Sequence, residues 1–229
     1  MKLVNQNARV LVIAAHPDDE ILGCGGTVAL YRKMGISVTS VIFCEGVSLR
    51  YINQNVDMYS FAQNAANKLG VTDIRYLNFP DQRLDQFNLI EIIRPLEDII
   101  KEICPTIIYC QYGGDINYDH ELLFKAILVA VRPIEKYIKE VFAFDTASST
   151  DWAYPRTFIP DTWVDITSTL EMKLQAMACY ITEIRDYPHP RSLEALRNRA
   201  YSWGNQVCSL ASEVFMTVRS ICRDGTVPL

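Results

Sequence analysis

The sequence predicts an α/β fold, a parallel sheet of about five strands with helices on both faces. Short β-branched runs alternate with longer segments of helical periodicity. Clusters rich in His and Asp follow strand-like runs directly, and a balance of 49% apolar to 21% charged residues over 229 residues suits a chain that buries a sizeable core.

A strand is expected over Arg9 to Ala15, an amphipathic helix near Gly25 to Met34 and a strand over Ser37 to Cys44, which together make a β-α-β unit. After a polar stretch at Glu45 to Asn55 come a helix around Val56 to Leu69 and a strand at Ile74 to Leu77. A helix at Leu89 to Ile103 and a strand at Thr106 to Cys110 follow. A loop rich in Gly, Asp and Asn leads to a helix over His120 to Val131 and a strand at Val141 to Asp145. Such alternation buries parallel strands between two helical layers, a Rossmann-like arrangement.

Ser148 to Thr162 lacks periodicity and carries Pro155 and Pro160, so it reads as a long functional loop that Trp152, Tyr154 and Phe158 would make a lid. Ser168 with Glu171 has the form of a capping box for a helix to Tyr180, and Ser192 caps a helix reaching Ala211. Trp203, Val207, Leu210, Val214 and Phe215 supply an apolar C-terminal surface for the core or for a homo-oligomer. No repeat or composition break divides the chain, so residues 1–229 are expected to form a single domain.

A formal charge of -5 and a pI near 5.3 give no electrostatic basis for nucleic-acid binding and favour a small-molecule partner. The seven cysteines are widely spaced without a Cys-x-x-Cys pair, the pattern of reduced thiols in a cytoplasmic protein. Val10 to Ala15 is too short to span a membrane and runs into His-Pro-Asp-Asp-Glu, unlike a signal peptide, so no membrane insertion is expected.

In open parallel sheets the ligand crevice lies beyond the carboxyl ends of the strands. Three clusters fall there: His16 to Glu20, Asp115 to His120 and Phe79-Pro80-Asp81. His16 follows six apolar residues without a spacer, and Asp19 lies three positions on, on the same side of one helical turn. A catalytic zinc needs three nitrogen or oxygen ligands and an open position for water, and His120 can complete such a set from the neighbouring strand. Asp18 and Asp119 remain beside it as carboxylates for the imidazoles and the water.

Adjacent aspartates before a helix also serve as caps, and a lone His120 would also read as a helix-start residue. The glycines at Gly23, Gly25 and Gly26 allow a dinucleotide-loop reading, but the intervening carboxylates would repel a pyrophosphate.

The segment Ala15-His16-Pro17-Asp18-Asp19-Glu20, with Gly23 to Thr27 after it and Asp115 to His120 later, resembles the motifs of the PIG-L and LmbE-like N-acetylglucosaminyl deacetylases. His189-Pro190-Arg191-Ser192 is similar to a further segment of many bacterial members. The resemblance implies a Zn2+-dependent hydrolase that releases acetate from an amino sugar, nucleotide sugar or sugar conjugate. His16, Asp19 and His120 would be its metal ligands and Asp18 its general base, with Arg50, Asp81 and Arg191 facing the substrate. Many members have a histidine where this chain has Asn117, which leaves Asn117 and His189 as the candidates for holding the oxyanion. Alternatives are a zinc amidase or esterase acting on another acylated sugar conjugate, and a sugar-binding protein without turnover.

Overall fold

The computed structural model describes residues 8–52 and 54–223. Among them, seven strands form one sheet in the order β3-β2-β1-β4-β5-β7-β6. The strands are β1 (Arg9–Ala14), β2 (Ser37–Cys44), β3 (Asp73–Phe79), β4 (Ile107–Gln111), β5 (Glu140–Phe144), β6 (Thr162–Asp165) and β7 (Ser212–Ser220). The first five run parallel, with Ile13 opposite both Val41 and Cys110. The last two are antiparallel additions beside β5.

The helices are α1 (Asp19–Lys33), α2 (Met58–Leu69), α3 (Leu89–Ile103), α4 (Tyr118–Ala130), α5 (Leu170–Met177) and α6 (Leu193–Asn205). The sheet separates two apolar cores, and its strands face both. Val10, Val12, Tyr109 and Phe144 pack with α1, α2, α5 and α6 on one side, while Leu11, Ile13, Ile108 and Cys110 pack with α3 and α4 on the other. Burial on both faces explains why β1 and β4 read as continuous apolar runs. No helix among the described residues is long and apolar enough to cross a membrane.

Local chemistry sets several element ends. The Asp57 carboxylate accepts from the Ser60 N–H at the start of α2, Gly70 ends that helix at φ 77°, and Ser192 Oγ accepts from the Ala195 N–H at the start of α6. Cys24 departs from helical geometry (φ -140°, ψ 18°), so α1 is a short turn followed by a longer helix, and helical periodicity in the sequence begins only at Gly25. At Gly23 the helix approaches the sheet so closely that a Cβ would collide with the Phe144 ring.

Three expectations need correction. The sheet has seven strands, not about five: β6 begins at Thr162, where the expected loop ends, and β7 begins at Ser212, just past the expected end of the last helix, and the sequence reading places no strand in either segment. Thr169, not Ser168, is the N-cap residue of α5; its hydroxyl donates instead to the Gly26 carbonyl at 2.8 Å and ties α5 to α1. Helix α6 ends at Asn205 rather than Ala211, and Val214 and Phe215 lie in the core on β7 while Val207 and Leu210 are exposed.

Candidate active site

The order of strands reverses between β1 and β4, and the crevice at that switch point receives the residues following both strands. His16 leaves the sheet just beyond β1, Asp19 opens α1, and His120 sits in the first turn of α4. Their donor atoms converge. His16 Nδ1 lies 3.2 Å from His120 Nε2 and 3.4 Å from Asp19 Oδ2, and His120 Nε2 lies 3.1 Å from the same carboxylate oxygen. All three residues are buried.

Three lone-pair donors at this spacing repel one another unless a proton or a cation lies among them. Ligands at the usual distance of ~2.0–2.1 Å from a tetrahedral zinc stand about 3.3 Å apart, close to the spacing here. Asp19 Oδ1 is buried and has no hydrogen-bond partner among the described residues. The outer ring nitrogens are also engaged, with His16 Nε2 3.0 Å from Asp119 Oδ2 and His120 Nδ1 2.6 Å from Asp115 Oδ2. Carboxylates in those positions fix the imidazole tautomers so that Nδ1 of His16 and Nε2 of His120 present lone pairs. The residues therefore fit a divalent cation.

A second grouping of His16, Cys44 and Asp119 lies on the other edge of the His16 ring. Burial pushes the Cys44 thiol up to about 11 against the pull of His16, and a protonated thiol is the poorer ligand.

The electrostatics follow these contacts. Burial alone would raise Asp19, but His120 and His16 hold its carboxyl well below the usual range. Burial opposes protonation of both histidines, yet Asp119 and Asp19 lift His16 well above 6.5, and Asp19 and Asp115 lift His120 to about 9. Asp18 goes the other way, because burial raises it to about 7 although Arg191 pulls it down. Its backbone lies at φ 108°, ψ -30°, a conformation that costs a non-glycine residue about 1–3 kcal/mol.

Arg191 Nη1 donates to Asp18 Oδ2 at 2.9 Å and to Glu183 Oε2 at 3.0 Å, and its Nε donates to Ser148 Oγ. Arg50 joins the same network through Asp81 and Glu183, each at 3.1 Å. Asp81 is fully buried between Arg50 and His16, with its Oδ1 3.5 Å from His16 Nε2. The two arginines retain some exposed surface, whereas Asp81 is fully buried and holds only Arg50 of the two.

Asn117 is half-buried at the N-cap of α4, where its Oδ1 accepts from the Asp119 N–H at 3.0 Å. His189 packs edge-on against Trp152, and its Nδ1 accepts from the Arg191 N–H at 3.0 Å. That bond fixes the neutral ring with its proton on Nε2, while partial burial and the neighbouring Arg191 and Arg185 lower its pKa. None of its described contacts reaches the His16, Asp19, His120 cluster. The 145–161 loop is held by Arg199 on Asp145 and Asp151, and by a 2.7 Å bond between the Tyr112 and Thr157 hydroxyls. It leaves Trp152 and Tyr154 exposed.

Glu20, Tyr180 and Glu183 are not singled out by the sequence, since their contacts span 133 and 160 positions and no local pattern announces them. Glu20 alone carries a local signal, as the last residue of the first motif, and the motif assigns it no role.

Residues 11–131 match the protein family described as PIG-L: GlcNAc-PI de-N-acetylase. The uncharacterized deacetylase YaiS of Escherichia coli K12 is 31% identical over 159 residues, covering 67% of this chain and 82% of its own. A Bacillus cereus protein named as a probable N-acetyl-alpha-D-glucosaminyl L-malate deacetylase is 30% identical over 56% of this chain and 62% of its own. The crystal structure of the conserved protein TT1542 from Thermus thermophilus superposes with a TM-score of 0.77 at 21% identity, over 96% of this chain and 99% of that one.

Proposed function

Since the chain belongs to the PIG-L family of GlcNAc-PI de-N-acetylases, we propose that it is a zinc-dependent hydrolase that frees acetate from an N-acetylated amino sugar or sugar conjugate. The observation that carries the metal assignment is the convergence of His16 Nδ1, Asp19 Oδ2 and His120 Nε2 within 3.1–3.4 Å, with the other Asp19 oxygen unpartnered among the described residues. The substrate class follows from the family and from the relative named for an N-acetylglucosaminyl malate.

A divalent ion held by His16, Asp19 and His120 would supply Lewis acidity toward the acetyl carbonyl and would lower the pKa of water at the site. Asp18 takes the proton from the attacking water. Burial raises its carboxyl to about 7 in the metal-free protein, and the same group returns the proton to the leaving amine. Arg191 keeps that carboxylate in place from one side. Arg50 and Arg191 are the residues proposed to meet the sugar or its appended group, with Asp81 orienting Arg50. The oxyanion is assigned a side-chain donor, either the Nε2–H of neutral His189 after movement of its loop or the Asn117 amide.

The test is acetate release from N-acetylglucosamine, its nucleotide sugars and its glycosides by zinc-loaded protein, with reversible loss on chelation. Full activity in metal-free protein would sink the proposal. Release of another acyl group would redirect it to a different acylated conjugate, and sugar binding without turnover would mark a binding protein.

A further inference from the structure

We propose that Glu20 and Tyr180 are positioning residues that lock the backbone of Asp18 and thereby the placement of its carboxylate. The inference rests on Asp18 being the base of the deacetylation described above. Asp18 occupies a conformation that L side chains rarely adopt, so something must hold it there. Its carbonyl accepts from the Ile21 and Leu22 N–H groups at 3.0 and 2.9 Å, which starts α1. Its own N–H donates to Glu20 Oε2 at 3.1 Å, and the Tyr180 hydroxyl donates to Glu20 Oε1 at 2.5 Å.

An ordinary capping box places the reciprocating acid three residues after the N-cap. Here it stands two residues on, in a buried position where a carboxylate is unfavourable unless both oxygens are used. Tyr180 is fully buried 160 positions away, and it reaches Asp18 twice. Its hydroxyl acts through Glu20 on the Asp18 N–H. Its carbonyl accepts from the Glu183 N–H at 2.9 Å, and Glu183 then holds Arg191 against the Asp18 carboxylate. Main chain and side chain of the proposed base are thus fixed by one residue, an arrangement that packing alone does not require.

The experiment uses the zinc-loaded full chain with N-acetylglucosamine as probe, comparing Glu20→Ala, Glu20→Gln and Tyr180→Phe, each also combined with Asp18→Asn. Glu20→Ala should lower kcat about 10- to 100-fold with KM and bound zinc unchanged, the scale of a misplaced catalytic group. Glu20→Gln, whose amide oxygen can still accept from Asp18 and whose NH2 can meet the Tyr180 oxygen, should recover most of that loss. In the Asp18→Asn background neither Glu20→Ala nor Tyr180→Phe should cost anything further, because both act through Asp18.

The same fold-loss in both backgrounds, or an unchanged kcat in Glu20→Ala, would overturn the proposal. If Glu20→Ala does not fold, Tyr180→Phe carries the comparison. Amide exchange of the metal-free protein provides a readout independent of turnover, with faster exchange at Asp18 expected in Tyr180→Phe and unaltered protection counting against the lock. Full turnover in Asp18→Asn alone would remove the base assignment itself and the proposal with it, and that arm reports on it separately.

Discussion

Asp18 and Asp19 are adjacent carboxylates driven in opposite directions by what surrounds them, imidazoles for Asp19 and, for Asp18, burial that outweighs the pull of Arg191 and Arg50. Asp19→Ala should therefore lose zinc and activity together. Asp18→Asn should keep the metal and lose at least ~100-fold in kcat, the lower end of what a positioned base contributes. Metal analysis beside steady-state kinetics separates the two, and equal metal loss would show the roles misdivided. His189→Ala should retain zinc and lower kcat far more than it changes KM, whereas a normal kcat would exclude His189 from the reaction. Asn117→Ala should cost about 10-fold or somewhat more, together with about 1 kcal/mol of stability because Asn117 also caps α4.

At the scale of elements, α1 governs how the site meets the sheet. Gly23 faces the Phe144 ring with no room for a methyl group, so Gly23→Ala should destabilise by about 1–3 kcal/mol in denaturant titrations, with Gly23→Ala, Phe144→Leu recovering part of it. Beyond the Cys24 break, the second half of α1 needs a new cap. Glu213 on β7 supplies it by accepting from the Gly26 and Thr27 N–H groups at 2.9 and 2.7 Å while pairing with Lys173 at 2.6 Å. Glu213→Ala leaves the buried ammonium unpaired and should cost about 3–5 kcal/mol; a cost below ~1 kcal/mol would show that the cap contributes little.

This capping explains what the sequence discloses and what it hides. Strands β1 to β5 and helix α3 are legible because the apolar runs of the strands and the helical periodicity of α3 are local. Strand β6 is only four residues long and follows a proline-containing stretch, so its pairing with β7 is invisible without the antiparallel partner far along the chain. The candidate metal cluster is legible because its residues lie in motifs just beyond the ends of β1 and β4. The Glu183 and Glu20 networks are not, because their energetics come from pairings that chain order does not encode.

For the whole molecule, the raised groups of the site set how stability changes with pH. Glu20, pushed by burial up to about 8, Asp18 at about 7, His120 at about 9 and His16 all bind protons more tightly in the folded chain than in the unfolded one. Each contributes stability that is complete below its unfolded pKa and is lost as pH rises through its folded one. Asp19 and Asp119, lowered in the fold, contribute stability that disappears on acidification below the ordinary carboxylate range. Metal-free protein should accordingly be most stable in mildly acidic buffer, with Tm falling from about pH 6 to about pH 9. Zinc bound at the proposed site would replace the protons at His16 and His120, so the Tm gain on adding it should widen over the same interval. A metal-free Tm that rises with pH would contradict the folded-state pKa values.

The residues that match the family, 11–131, include every proposed metal ligand, yet Tyr180, Glu183 and Arg191 lie outside that stretch and hold the proposed base. On the proposed reading the chain divides labour unequally: its first half carries the candidate metal ligands, and its second half carries the residues that hold the proposed base. The later half is consequently no free appendage for substrate choice. A graft that exchanged residues 132–223 for those of a relative would inherit the metal site intact and an unaligned base, unless the equivalents of Tyr180 and Arg191 travelled with it.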